Sequence, residues 1–250
     1  MNKVKILLLA LVVFSCKEKA GPVLTAQNII DKSIEVCGGT IYRSSTISFD
    51  FRDKTYVLEN NDGQRVMKRI FKIDSAMVKD VLRANGFQRF LNNKPIYLAD
   101  SMAQKYTNSV NSVHYFAYLP YGLNDPAVSK EHIGKVKIKG KEYFKIKITF
   151  EEKDGGEDFE DTYIYWFDTT TFKPEYLAYE FHEDGGGMRF RKAYNERYVN
   201  GIRFVDYSNY QPKNAGLSIY KIDSLFEAKQ LRLLSEIELR NISVQKNSYN

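Results

Sequence analysis

Cysteine, histidine and long apolar runs are scarce in this sequence, and each scarcity removes a class of function. The 250 residues contain two cysteines and three histidines. If Cys16 is acylated, Cys37 has no partner for an internal disulfide, and metal sites built on cysteine pairs are excluded. A reactive Cys37 would need a neighbour that lowers its pKa, and none is evident, so it reads as a small buried apolar residue. His114, His132 and His182 are scattered, without the i, i+4 spacing of a helical zinc site. His114, beside Tyr115 and Phe116, reads as a packed core histidine. No Gly-x-Ser-x-Gly nucleophile motif occurs. We therefore expect no catalytic residue, no metal and no cofactor. Lysine and arginine do not cluster among aromatics as nucleic-acid binders require, so no nucleic-acid partner is expected.

The amino-terminal apolar run, Ile6 to Phe14, is too short to span a bilayer. Preceded by Lys3 and Lys5, it has the build of a secretory signal, and residues 1–15 read as a signal peptide. The run ends in Val13-Phe14-Ser15-Cys16, which resembles the lipobox of bacterial lipoproteins, although Phe14 is larger than the residue usual there. That resemblance implies acylation of Cys16, a lipidated tether over residues 16–23 and one domain over residues 24–245. Two or three acyl chains anchor a protein stably where one is marginal. The plainer reading is a simple signal peptide with a free Cys16, which a secreted chain ordinarily avoids. Lys17-Glu18-Lys19 resembles surface-export signals of Bacteroidetes lipoproteins. The expected location is the cell envelope, at the outer membrane, on its periplasmic or its surface face. Net charge is mild: 37 basic against 31 acidic residues gives +6, and loss of Lys3 and Lys5 leaves 35 against 31, or +4.

Aromatic residues organise the remainder. In Phe144 to Phe150 apolar residues fall at every second position, the period of a strand with one wet face. Thr162 to Phe167 puts Tyr163, Tyr165 and Phe167 on one side and Ile164 and Trp166 on the other, so both sides need cover. Tyr176 to Phe181, Met188 to Arg191 and Ile202 to Tyr207 continue an antiparallel meander, with Asn200-Gly201 as its strongest hairpin signal. Before it, a helix over Leu24 to Cys37 with Thr25 as cap and Gly38-Gly39 as stop precedes strands over Ser45–Arg52, Lys54–Asn60 and Gln64–Lys72, with Asn61-Asp62-Gly63 as a turn. We then expect a short helix at Ser75–Leu82, a hairpin around Asn92-Asn93, a helix or ordered loop over Asp100–Ser112 and a strand over Val113–Leu119. Leu119 to Pro126 either covers a cavity or folds back on the core. Further strands are expected at Val136–Ile138, Glu142–Phe150 and Leu217–Ile222, then a helical turn from Asp223 and one long strand over Leu231–Val244. Glu151 to Asp161 reads as a solvated acidic hairpin loop, because it lacks the ligand order of an EF-hand.

The amphipathic helix ending in Gly-Gly, the succession of antiparallel strands, and the Tyr-Trp-Phe-Asp strand running into Thr-Phe-Lys-Pro are similar to LolA/LolB-type lipoprotein carriers. Ser112-Val113-His114-Tyr115-Phe116, Gly186-Gly187-Met188-Arg189-Phe190-Arg191 and Tyr194-Asn195 look like a family of Bacteroidetes lipoproteins of unassigned function. The resemblance implies a mainly β fold: a strongly curved antiparallel sheet, an incomplete barrel, with helices plugging its concave side. A sheet apolar on both faces needs helices or a ligand to cover it. The expected function is therefore a lipid-anchored envelope protein holding a lipid, an acyl chain or another hydrophobic ligand in the concavity. Candidate ligand-binding residues are Tyr163, Tyr165, Phe167, Tyr179, Phe181, Phe190 and Phe204. Arg189 and Arg191 are candidates for a headgroup or an acidic partner, since guanidinium binds phosphate in a bidentate manner; alternatively these arginines and Arg203 pair across strands with acids such as Asp206 or Glu180. The other functional reading is a structural or interaction lipoprotein that has no small ligand and meets another envelope protein.

Overall fold

A computed structural model describes residues 24–61, 64–151, 161–182 and 185–247. The signal peptide, Cys16 and the tether, two residues of the turn expected at Asn61-Asp62-Gly63, and most of the acidic run lie outside the described residues. A helix, α1 (Ala26–Cys37), leads into six strands: β1 (Ser45–Phe51), β2 (Lys54–Asn61), β3 (Gln64–Ile73), β4 (Ala76–Arg83), β5 (Gly86–Leu91) and β6 (Lys94–Ile96). After α2 (Asp100–Ala117) come β7 (Val128–Ile138), β8 (Lys141–Phe150), β9 (Thr162–Asp168), β10 (Pro174–Phe181), β11 (Gly187–Val199) and β12 (Ile202–Pro212). The chain ends with α3 (Ile222–Glu227), β13 (Leu231–Ile237) and β14 (Arg240–Lys246).

The strands form two antiparallel seven-stranded sheets, in the orders β14-β1-β2-β3-β4-β5-β6 and β13-β12-β11-β10-β9-β8-β7. The fold is mainly β, and the sheets do not close into a barrel. The second is a meander throughout, the first a meander from β1 to β6 with β14 added beside β1, and they meet where β13 passes through Glu238 and Leu239 into β14. Type I′ turns set much of the register: Asn92-Asn93, Lys139-Gly140 and Asn200-Gly201 all have positive φ at both positions. Thr25 and Asn28 close a capping box on α1. Gly38, at φ 143°, stops the helix against β12, where a Cβ would come within 3.3 Å of the Ile202 backbone.

One core holds the facing surfaces together. Ile29 and Ile30 of α1 and Val113 and Ala117 of α2 pack with Ile47 and Phe49 of the first sheet and with Ile146, Phe167 and Tyr207 of the second. The helices therefore occupy the space the sheets enclose. A second core lies behind the second sheet, where Trp166, Tyr176 and Phe190 meet Ile219, Ile222 and Phe226. Among the described residues no helix is long and apolar enough to cross a membrane.

Four expectations need correction. Ser75–Leu82 is strand β4 rather than a helix: Val78, Val81 and Leu82 imitate helical spacing because the buried residue between them is Asp80, held by Arg69 and Arg89. Val113–Leu119 is not a strand: it comprises the last turns of α2 and the two residues after the helix, apolar because this end of α2 is enclosed. Leu217–Ile222 leads through a 3-10 turn at Ile219–Lys221 into α3. The final strand is broken at Glu238-Leu239, where Asp206 Oδ1 accepts from the Leu239 N–H at 2.9 Å and Arg197 Nη2 donates to the Leu239 carbonyl at 2.6 Å. The face of β8 expected to be wet is partly exposed at Lys147 and Thr149 but covered at Lys145. Lys145 is buried, its ammonium 2.7 Å from Asp223 Oδ2, an oxygen that also accepts from the Trp166 indole at 3.1 Å.

Candidate functional site

A cavity of about 520 Å³ lies between α2 and the inner face of the second sheet. Strand alternation builds its wall: Tyr163 and Tyr165 from β9, Leu177, Tyr179 and Phe181 from β10, Arg189 and Arg191 from β11, Asn209 from β12, and Ser235 and Ile237 from β13. Asn111, Tyr115 and Phe116 of α2 close the opposite side, with Phe51 and Phe150 beside them. The aromatic rings support one another, Tyr163 stacking on Tyr179 at 5.6 Å and meeting Phe150 edge-on at 5.4 Å.

The polar groups of this wall are unusual. Arg191 lies over the rings of Tyr179 and Phe116, at 5.2 and 5.4 Å, and its Nη2 donates to the Tyr179 hydroxyl at 3.2 Å. Arg189 lies over Phe181 at 4.8 Å and donates to the Met188 carbonyl at 2.9 Å. Neither has a carboxylate within ion-pair distance among the described residues. Arg191 Nε, Asn209 Oδ1 and the Tyr115 hydroxyl are buried and have no hydrogen-bond partner. Burial holds the Tyr115 phenol well above its ordinary pKa, and that of Tyr165 is raised for the same reason, so both are neutral at physiological pH.

A smaller cavity of about 200 Å³ shares Asn111, Tyr115 and Phe150 with the first and is otherwise lined by residues that include His114, Tyr118 and Tyr121. His114 is buried and its pKa falls to about 4, chiefly from desolvation. Its Nε2 lies 3.1 Å from the Lys68 carbonyl and is therefore the protonated nitrogen, leaving Nδ1 an acceptor without a partner. Burial pushes the Cys37 thiol up to about 11, which keeps it protonated. No group of three or more histidine, cysteine or acidic side chains converges on a metal position among the described residues.

Of the residues nominated from sequence, Tyr163, Tyr165, Tyr179, Phe181, Arg189 and Arg191 come together on the larger cavity. Phe167 and Phe204 lie in the same inner core but not on the cavity wall. Phe190 faces the other way, into the outer core, 4.7 Å from the Phe226 ring and 5.6 Å from Trp166. Arg203 is buried against Glu196 at 2.6 Å, and Asp206 pairs with Arg197, so the pairings with Asp206 or Glu180 do not form. Asn209, Ser235 and the α2 side chains were missed. The helical residues were hidden by the strand-like composition of Val113 to Leu119, while Asn209 follows Tyr207 at strand period and was within reach of the same alternation.

Among solved structures, the chain is similar to a LolA superfamily protein from Nitrosomonas europaea, with 12% identity, a TM-score of 0.49, and 91% of this chain and 95% of that one covered. It is also similar to a DUF1329 family protein from Desulfovibrio piger, at 8% identity and TM-score 0.40 over 87% and 92%. A third similar structure is the lipoprotein LppX of Mycobacterium tuberculosis, at 12% identity and TM-score 0.29 over 64% and 88%. No curated protein matches the chain by sequence. A family model does, over residues 2–239, and by that match the chain belongs to DUF6503, a family of unknown function.

Proposed function

We propose that this protein is held in the cell envelope through an acylated Cys16 and carries a lipid, an acyl chain or another hydrophobic ligand in the larger cavity. The observation that carries this reading is the hollow itself. Its 520 Å³ falls within the roughly 300–1,000 Å³ of small-molecule sites, and aromatic side chains are the largest group on its wall. Rings that already stack on one another are pre-organised, so a ligand entering between them orders few side chains. The amino-terminal apolar run and the Ser15-Cys16 junction support the envelope location.

Native mass spectrometry of the full chain purified from membranes tests the ligand, with an apolar molecule expected at one per protein. A protein that carries nothing, and takes up no environment-sensitive apolar dye after purification, overturns the reading. For the anchor, Cys16→Ser is expected to abolish incorporation of labelled palmitate and to release the chain from the membrane fraction. Unchanged membrane association overturns that part.

A further inference from the structure

Five of this protein's arginines fall into two groups. Three are buried, and each has a carboxylate: Arg69 and Arg89 share Asp80, at 2.6 Å each, and Arg203 holds Glu196. Arg189 and Arg191, on the cavity wall, have none among the described residues. Across the described wall three guanidinium groups, those of Arg52, Arg189 and Arg191, stand against the single carboxylate of Asp161, and Asp161 lies 3.4 Å from His182. Among the described residues the wall thus joins apolar and aromatic faces to polar side chains that carry an excess of positive charge.

The uncompensated groups are also aligned. Arg191 is registered directly opposite Asn209 across β11 and β12, and Asn209 opposite Ser235 across β12 and β13. Asn209 is only 7% exposed, and its Nδ2 donates to Ser235 Oγ at 3.2 Å. Its Oδ1 therefore points elsewhere, unpaired, as do Arg191 Nε and the Tyr115 hydroxyl on the facing helix. Buried polar atoms are paired in the great majority of cases. Three orphans around one cavity, two of them donors, mark the place of a polar group that the described residues do not supply. Water would satisfy the orphans but would not balance the guanidinium charge; an oxyanion balances the charge and accepts from the two donors, leaving Asn209 Oδ1 for a donor beside it, and a planar guanidinium between two rings presents an edge to it.

We propose that the ligand is a single-chain amphiphile whose end group carries an anionic oxygen, a carboxylate or a phosphate, seated on Arg191 with Tyr115 as a second donor and Asn209 accepting from any hydroxyl or amide beside it. The inference rests on the reading that the cavity holds an apolar ligand. At roughly 30 Å³ per water-sized or methylene-sized group, 520 Å³ accommodates on the order of fifteen to twenty such groups, the size of one acyl chain.

The test is a binding series on the full chain carrying Cys16→Ser, so that no acyl group of its own competes. The probes are palmitate, palmitoyl lysophosphatidate and hexadecanol, measured by calorimetry at pH 8 and low salt. At least one of the two anions is expected to bind tenfold or more tighter than hexadecanol. A preference for palmitate identifies a carboxylate, and one for the lysophosphatidate a phosphate. Arg191→Gln is expected to reduce the anion's advantage to under threefold while leaving hexadecanol unchanged. Hexadecanol binding as tightly as both anions to the wild-type chain overturns the anionic end group and leaves the apolar-ligand reading standing. Binding of none of the three overturns both. Should Arg191→Gln fail to fold, the wild-type series decides alone.

Discussion

The two sheets have the same strand count, yet the arginines on their inner faces are treated in opposite ways. In the first, Asp80 is fully buried between Arg69 and Arg89, Arg69 reaches on to Ser109 Oγ at 2.7 Å, and Arg89 lies 3.6 Å from the Tyr106 ring. The charges are closed on one another and clamp α2 onto β3, β4 and β5. In the second sheet the inner arginines, Arg189 and Arg191, rest on aromatic faces without a carboxylate among the described residues. One cluster is complete within the protein and therefore serves architecture. The other has no carboxylate of its own among the described residues, and the anionic ligand proposed above would supply the counter-charge.

The largest effect that separates them is expected at Asp80. Asp80→Ala leaves two guanidinium groups buried without a counter-charge, and breaking a buried ion cluster from one side costs about 3–5 kcal/mol. Urea unfolding measures it. A loss below about 1 kcal/mol would mean that the first cluster is as open as the second.

A pH dependence of similar size is expected from the same region. His114 sits on α2 with its ring against Phe49 and Tyr56 of the first sheet. Its pKa falls from the ordinary 6.5 to about 4, so it is neutral when folded and charges more readily when unfolded. The stability it preserves is whole above pH 6.5, declines as pH falls, and is lost by about pH 4. At 1.36 kcal/mol per pH unit the full difference is about 3 kcal/mol. His114→Phe removes the ionisation. The gap between wild type and variant in unfolding free energy should therefore shift by about that amount from pH 7.5 to pH 4, and a constant gap would refute the argument.

The contrast also explains what was legible in the sequence. The second sheet could be read because its strands alternate cleanly. In Thr162 to Phe167 both faces are apolar, and both proved to be covered, one by the inner core and one by α3 and the turn before it. Strand β4 could not be read, since the inward position that would complete the alternation is a carboxylate. The Leu239 corner was hidden for a related reason: alternation runs through it unbroken, and what bends the chain is Asp206, more than thirty residues away. Six of the nine ligand-binding candidates lie on the cavity wall because strand period separates inward from outward side chains. The same rule excludes Phe190, which lies between Arg189 and Arg191 and must face the opposite side. The hollow was expected, but its second wall was not legible, because that wall includes the part of α2 that resembled a strand.

A smaller effect is expected at the joint between the sheets. Asp206 accepts from Asn195 Nδ2, Arg197 Nη2 and the Leu239 N–H, at 2.6, 2.9 and 2.9 Å. Asp206→Ala removes all three. With Arg197 partly exposed the charge term is screened, and the loss is about 2 kcal/mol, mostly from unpaired buried donors. Hydrogen exchange should show it as faster exchange at β13 and β14, with the centres of both sheets unchanged. Uniform acceleration across both sheets would mean that the corner is not a separable joint.

The smallest effect is the most informative. Arg191→Met replaces a guanidinium by an apolar side chain of similar reach on the cavity wall. In a closed cluster this would strand a carboxylate, but among the described residues the polar partner of Arg191 is the Tyr179 hydroxyl, which is neutral and can turn to another acceptor. Exchanging a charge that lacks a counter-ion for an apolar group of similar size is close to neutral or slightly favourable, and the lost contacts with Phe116 and Tyr179 are worth about 0.5–1 kcal/mol. The unliganded variant should therefore unfold within about 1 kcal/mol of wild type, whereas Arg69→Met, which strands part of Asp80, should be markedly less stable. Equal losses at the two positions would erase the distinction between the sheets. A near-silent Arg191→Met beside a costly Arg69→Met would show that the second arginine is retained for something other than the stability of the fold.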